Sequence, residues 1–312
     1  MARRRKNNKS IVPLLIVIII SVLMLSGKGD LALPQGGNNT DMSESDSVYV
    51  HFIDVGQGSA TLIQQGKTGI LIDAGEREYG EVVVDYIEKV GVSSLEYVVA
   101  SHPHSDHIGG FDEVLYAYPV DTVIMPELEE SNTPTTRVYE DLLTAVLDKD
   151  INTEFISGEK GYSFGLNEDI DVEVLGPVEQ SDNLNDMSVI VRVSAFDSEF
   201  MILGDAEKDE LESVYSNPLN YNVSVITDAE NAFKSDVIAL GHHGSATSVY
   251  EPFLNAVNAD VAVISCGKDN SYGHPHKEAL EYVEDNGMTC YRTDETGDVV
   301  FKVTEDGYRV IK

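Results

Sequence analysis

Directly after a short apolar run at 97–101 the chain reads Ser101-His102-Pro103-His104-Ser105-Asp106-His107-Ile108-Gly109-Gly110. Three imidazoles and a carboxylate within six residues are poor packing material, and only 8 histidines occur in the 312 residues. Imidazole nitrogen and carboxylate oxygen are what borderline divalent metals take, three or four at a time. In extended backbone His102 and His104 point to the same side. Past the bend, Asp106 and His107 are placed to serve a second ion close by. Gly109 and Gly110 are expected to let the backbone turn sharply into the next helix. A chance loop of histidines explains this window less well than a metal site does. The fold must therefore bring the remaining ligands from distant segments to one strand end.

Three later segments offer them. Met201-Ile-Leu-Gly-Asp205 ends an apolar strand, where an inward carboxylate can bridge two ions. Taken alone, a Gly-Asp after a strand is more often a turn. Leu240-Gly-His242-His243-Gly-Ser245 repeats the arrangement of histidine after an apolar strand. Spacing leaves His242 and His243 both open as the ligand; His242, nearer the strand end, is preferred. Tyr272-Gly-His274-Pro-His276 precedes a helix. There His274 can bind an oxyanion or donate a proton, whereas His276 also fits an ordinary place in the helix's first turn.

From Val48 onward strand and helix signals alternate. Strands are predicted at 48–55, with Val48, Val50 and Phe52 on one face, and at 60–65, 69–73 and 97–101. Others are predicted at 170–175, 188–195, 199–203, 236–240 and 261–265, with terminal strands near Cys290 and at 299–303. Val83, Tyr86, Ile87 and Val90 have helical spacing ended by Gly91, and further helices are predicted at 135–148, 207–215 and 277–286. No repeat of fixed period is visible. Strand groups followed by helices, twice over, predict an α/β or α+β domain with two mixed sheets and helices outside. Cys266 and Cys290 lie in apolar strand-like runs without metal-ligand spacing and read as packing residues.

The amino terminus is of another kind. Residues 1–10 carry Arg3, Arg4, Arg5, Lys6 and Lys9, and 11–27 are almost wholly aliphatic. That length is near the lower limit for a membrane-spanning helix, and the flanking positive charge predicts a cytoplasmic amino end. The expectation is a single-pass anchor with the body outside the cell; secretion after signal-peptide cleavage is the alternative, though Gly27-Lys28-Gly29 is a poor cleavage site. Residues 28–47 read as a flexible tether and 48–312 as the exported domain. The formal net charge is −33, and the basic amino-terminal cluster makes the body more acidic still. Such a surface disfavours broad DNA binding. Solubility or salt adaptation explains it equally well.

The combined motifs resemble the metallo-β-lactamase superfamily. More narrowly, Phe52-Ile-Asp-Val-Gly-Gln-Gly58, Leu71-Ile-Asp-Ala-Gly75, Asn185-Asp-Met-Ser188, His242-His-Gly-Ser245 and Tyr272-Gly-His-Pro-His276 resemble the β-lactamase-like domain of bacterial competence (DNA-uptake) proteins. The resemblance covers 48–312 and implies a four-layer αββα sandwich with a dinuclear centre. It implies His102 and His104 on one ion, Asp106 and His107 on the other, Asp205 bridging, and His242 or His243 completing the second site. No histidine lies between His107 and His242, where many members of the superfamily place a further ligand. Asn185 or Asp186 is expected instead, and an oxygen ligand makes Mn2+ as credible as Zn2+. Ser59 stands where the competence branch often carries Asp.

The implied chemistry is hydrolysis by a hydroxide held between two divalent ions, with Asp106 and His274 as the catalytic side chains. Phosphodiesters of nucleic acid or of the cell envelope are the favoured substrates. Carboxyl esters, lactones or thioesters are the alternative, and a non-catalytic domain that keeps metal for structure is the reading from another class. The oligomeric state is not legible.

Overall fold

Strand β1 (Val48–Phe52) shows how the layers arise. All five of its residues are buried, yet they serve two different cores. Val48, Val50 and Phe52 point into one apolar cluster, while on the other face His51 meets Tyr86 of helix Gly80–Val90. Alternation along a strand separates the faces; here both faces are covered. The computed structural model describes residues 46–156, 162–217 and 232–312.

Fifteen strands among the described residues form two sheets. The first has the order β15 (Gly307–Val310), β14 (Val299–Thr304), β1, β2 (Thr61–Gln65), β3 (Thr68–Ile72), β4 (Ser94–Val99), β5 (Val120–Pro126), β6 (Asn152–Ile156). It is antiparallel from β15 to β3 and parallel from β3 to β6. The second has the order β13 (Thr289–Arg292), β12 (Val261–Ile264), β11 (Val237–Ala239), β10 (Ser198–Ile202), β9 (Val191–Ala195), β8 (Ile170–Val174), β7 (Ser163–Asn167). Its parallel half runs from β13 to β10 and the remainder is antiparallel.

Three apolar clusters lie between the layers. One joins the inner faces of the sheets, with Phe52, Ile72 and Phe301 of the first and Val193, Phe200 and Val263 of the second. Another packs Leu62, Leu71 and Val98 under Val83, Ile87, Val114 and Leu142 of the covering helices. The third packs Met201, Ile238 and Ile264 against Leu211, Phe253 and Val283. The result is the expected two-sheet sandwich with helices on its outer faces.

The predicted elements at 48–55, 60–65 and 69–73 correspond to β1–β3, and the helix ended by Gly91 is Gly80–Val90. The sequence reading did not pick out β5, β6, β7 and β15, or helix Glu251–Val257, while the helix expected after Gly110 is Phe111–Ala117. Cys266 is buried and Cys290 half-buried, both as free thiols. The basic segment and expected anchor at 1–27, and nearly all of the tether, lie outside the described residues. Among the described residues no helix is long and apolar enough to cross a membrane.

Candidate metal centre

The histidine window leaves β4 at the sheet face and folds into the short helix Ser105–Ile108. Gly109 and Gly110 follow, but neither needs an unusual backbone: both have negative φ, −63° and −92°. The physical reason for glycine is close approach. A Cβ on Gly109 would stand 2.3 Å from the Arg77 nitrogen and 2.5 Å from the Ser105 oxygen, and one on Gly110 would stand 2.4 Å from the Ala74 oxygen.

Asp73, just beyond β3, anchors this turn from behind. It accepts from the Ser101 backbone N–H and hydroxyl, both at 2.8 Å, and from His107 Nδ1 at 2.7 Å. With Nδ1–H committed to a carboxylate, His107 presents Nε2 to the centre, 3.0 Å from Asp205 Oδ1. Neither of these two buried atoms finds a hydrogen-bond partner. The Ser101 hydroxyl, having donated to Asp73, is left to accept from His102 Nδ1 at 3.1 Å. His102 Nε2 then lies 2.9 Å from His104 Nδ1 and 3.8 Å from Asp205 Oδ2, so the side chains expected to share an ion do converge.

Asp205 reaches the centre after β10, where Gly204 takes a left-handed φ of 56°. His242 and His243 follow β11 with left-handed φ of 51° and 56°, a strained conformation for two consecutive non-glycine residues. The two rings consequently part. His243 is buried, hydrogen-bonded through Nδ1 to the Ser265 carbonyl at 2.9 Å, with Nε2 3.1 Å from Asp106 Oδ2 and 3.7 Å from Asp205 Oδ2. His242 is 24 % exposed and sits at the rim, with Nδ1 3.0 Å from Glu207 Oε1 and Nε2 3.7 Å from Asp205 Oδ2. Asp106, His107, Asp205 and His243 offer ligand atoms that all lie within 4.8 Å of one another, a spacing that can hold a metal ion. The preferred His242 is outside that group and its neighbour is inside it.

The two candidates for the missing ligand also separate. Asp186 is fully engaged, accepting from the Glu207 N–H at 2.9 Å and from Asn183 Nδ2 at 2.9 Å. Asn185 lies beside His104; it donates through Nδ2 to Glu207 at 3.2 Å and leaves a buried Oδ1 with no partner. His274 packs 5.4 Å from His242 and 6.0 Å from His243, ring to ring, and Gln57 Nε2 approaches its Nδ1 at 3.4 Å. Burial and the neighbouring imidazoles bring its pKa down to about 4. His276 braces two loops instead: its Nδ1 accepts from the Ala246 N–H and its Nε2 faces the Tyr272 carbonyl. Asp73, Glu207, Gln57 and Asn270 were not singled out from sequence. Asp73 and Gln57 lie inside the quoted motifs Leu71-Ile-Asp-Ala-Gly75 and Phe52-Ile-Asp-Val-Gly-Gln-Gly58 and Glu207 two residues past Asp205, while Asn270, which pairs with the His274 N–H and carbonyl, had no local signal.

Charge within the centre is unbalanced. Burial opposes ionisation of Asp205, yet the surrounding imidazoles, His107 foremost, hold its carboxyl well below the usual range. Burial also opposes the charged form of His107, but the Asp205 and Asp73 carboxylates outweigh it and raise its pKa well above normal. With that proton removed, His107 Nε2 joins Asp205 Oδ1, 3.0 Å away, as a buried acceptor without a partner, and Asn185 Oδ1 beside His104 is a third. Lone pairs that converge in this way call for a cation, and the donor set fits a divalent metal.

A two-sheet sandwich with a His/Asp cluster able to bind metal at its strand ends defines a metallohydrolase-like protein. The chain belongs to the metallo-beta-lactamase superfamily, whose sequence pattern matches residues 53–268. It is 26% identical over 278 residues to ComE operon protein 3 of Bacillus subtilis, covering 81% of this chain and 33% of that protein. It is 29% identical over 265 residues to Recombination protein 2 of Haemophilus influenzae, covering 82% and 29%. To Competence protein ComA of Neisseria gonorrhoeae it is 28% identical over 264 residues, covering 82% and 32%. The chain thus spans about a third of the length of these relatives. Among solved structures, the metallo-beta-lactamase fold protein YhfI from Bacillus subtilis aligns with a TM-score of 0.46 at 13% identity, covering 82% of this chain and 99% of that one.

Proposed function

We propose that this protein is an exported, membrane-anchored hydrolase that cleaves phosphodiesters of nucleic acid or of the cell envelope with two divalent ions, Zn2+ or Mn2+. One observation carries the reading. The outer nitrogens of His102, His107 and His243 are tied to hydroxyl, carboxylate or carbonyl oxygens, which leaves the Nε2 of each turned toward Asp205 or Asp106, where a metal would stand in place of a proton. In the assignment this supports, His102, His104 and Asn185 hold the first ion, Asp106, His107 and His243 the second, and Asp205 both. His242 is assigned to the rim.

When bound, such a metal pair acts as a Lewis acid and makes water acidic enough to ionise near neutral pH. The protein's own groups orient the rest. Asp205 and Asp106 fix the carboxylate side of the centre. His274, uncharged at neutral pH and approached at Nδ1 by the Gln57 amide, is the N–H donor proposed for the developing negative charge or the leaving oxygen. The likeness to competence proteins and the oxygen donor of Asn185 favour phosphorus over carbonyl substrates. Residues 11–27 are proposed as the anchor, with 48–312 outside the cell.

The test is hydrolysis of bis(p-nitrophenyl) phosphate by the chelator-stripped protein, then with Zn2+, then with Mn2+. Metal-dependent turnover is expected, abolished in His104→Ala and His243→Ala and retained in part in His242→Ala. No turnover with either ion in folded protein would overturn the phosphodiesterase reading, and turnover of carboxyl esters or lactones under the same conditions would replace it. External protease added to intact cells is expected to digest the body.

A further inference from the structure

Glu207 has no place in the ligand set, yet its carboxylate meets four polar side chains. It stands just before helix Lys208–Ser216, with a side chain 22% exposed. Its Oε1 accepts from Asn185 Nδ2 at 3.2 Å and from the Thr247 hydroxyl at 2.9 Å, and faces His242 Nδ1 at 3.0 Å. Its Oε2 accepts from Asn183 Nδ2 at 3.0 Å. These four side chains come from the turn at Leu184–Met187 with its capping Asn183, from the histidine pair, and from the turn at Ala246–Ser248. Resting on the metal-centre reading above, we propose that Glu207 is a positioning residue that turns the Asn185 amide oxygen and the His242 Nε2 toward the metals.

The argument is one of donor and acceptor parity. An ionised carboxylate only accepts, so each partner must show it a hydrogen. Asn185 has two hydrogens on one end of its amide, and giving that end to Glu207 aims its oxygen at His104 and the centre. His242, with its proton on Nδ1, keeps its lone pair on Nε2, 3.7 Å from Asp205. A glutamine at 207 fits neither way round. With its NH2 in place of Oε1, Asn185 must turn over and offer NH2 to the metal, and His242 must move its proton to Nε2. With its NH2 in place of Oε2, Asn183 must turn over instead. That breaks its bonds to the Asn185 N–H at 3.2 Å and to Asp186 at 2.9 Å.

The experiment titrates the chelator-stripped, full-length protein with Mn2+ alone and with Zn2+ alone. The samples are wild type, Glu207→Gln, Glu207→Asp, Asn185→Ala and the Glu207→Gln/Asn185→Ala double variant; thermal unfolding of each stripped sample is recorded as well. Partners behind metal ligands typically govern about 10–100-fold in affinity. Glu207→Gln is expected to weaken one class of site by that factor, Asn185→Ala to weaken the same class, and the double variant to lose no more than Asn185→Ala alone. Glu207→Asp, still acceptor-only but shorter, is expected to fall between wild type and Gln; if the Gln variant does not fold, Asp takes its place in the double variant. Unchanged affinity in Glu207→Gln, or losses that multiply in the double variant, would overturn the proposal. A wild type that takes up neither ion would sink the metal-centre reading and this role with it. Metal uptake lost in Asn185→Ala but intact in Glu207→Gln would sink the role of Glu207 alone.

Discussion

His51 is a buried histidine away from the metal cluster, and its protonation is set by two neighbours. Gln64 turns both hydrogens of its amide to the Gly66 and Val90 carbonyls, so its Oε1, 3.1 Å from His51 Nε2, accepts the ring proton. Nδ1 is then free to accept from the Tyr86 hydroxyl at 3.0 Å. Burial brings the pKa of His51 down to about 3, partly countered by the Gln64 hydrogen bond. A folded pKa below the unfolded value of 6.5 means that the unfolded chain binds the proton first. Stability from this group is therefore present above pH 6.5 and is lost as pH falls toward 3. Between pH 7 and pH 5 the loss is about 2 kcal/mol. Urea unfolding at those two pH values should show wild type losing that much more stability than His51→Asn; equal losses would mean that the buried ring does not stay neutral.

Elements were legible where both period and punctuation were strong. β1 to β3 alternate or run apolar, and Gly91 closes helix Gly80–Val90 in a left-handed conformation at φ 85°. Edge strand β6 was not, because Asn-Thr-Glu-Phe-Ile is mostly exposed and takes its structure from pairing with β5. β7 carries Gly165, where a Cβ would lie 2.1 Å from the Ile170 oxygen across the hairpin, a requirement no local pattern announces. In the candidate site, the segments that bring Asp106, His107, Asp205 and a residue of the histidine pair together were readable, but which of His242 and His243 turns inward was not. Two adjacent residues share every spacing argument, and only their consecutive left-handed backbone sends one ring inward. Glu207 read as an ordinary acidic residue at a helix start, since its partners come from three separate segments.

Gly109 and Gly91 test this difference between backbone freedom and close approach. At Gly91 nothing lies within 4 Å of a Cβ, so Gly91→Ala should cost roughly 1 kcal/mol for the left-handed backbone alone and leave metal affinity unchanged. At Gly109 the φ is ordinary but the three nearest atoms are backbone, from Arg77, Ser105 and Glu76. Gly109→Ala must push Asp106 and His107 away from that loop, at roughly 1–3 kcal/mol. Metal titration beside thermal unfolding separates the two: only Gly109→Ala should lose metal affinity, and a silent Gly109→Ala would refute the close-approach account.

At the scale of the molecule, the centre draws on both sheets. His102, His104, Asp106 and His107 follow β4 of the first, whereas Asp205 and His243 follow β10 and β11 of the second. Around them is a chain of formal charge −33, whose self-repulsion opposes compaction. A cation seated between the halves neutralises charge where carboxylates crowd, and it binds the folded state alone. Such a ligand at a hundredfold excess over its dissociation constant stabilises by about 2.7 kcal/mol. In a domain of this size that is on the order of 5–10 °C in Tm. Stripping with chelator should lower Tm by that amount, and Mn2+ or Zn2+ should restore it in proportion to the logarithm of concentration. His104→Ala on the first half and His243→Ala on the second should each reduce the response to added metal. If His243→Ala kept the full shift, the metal would be held by the first half alone, and the coupling between the sheets would rest on the apolar cluster between them.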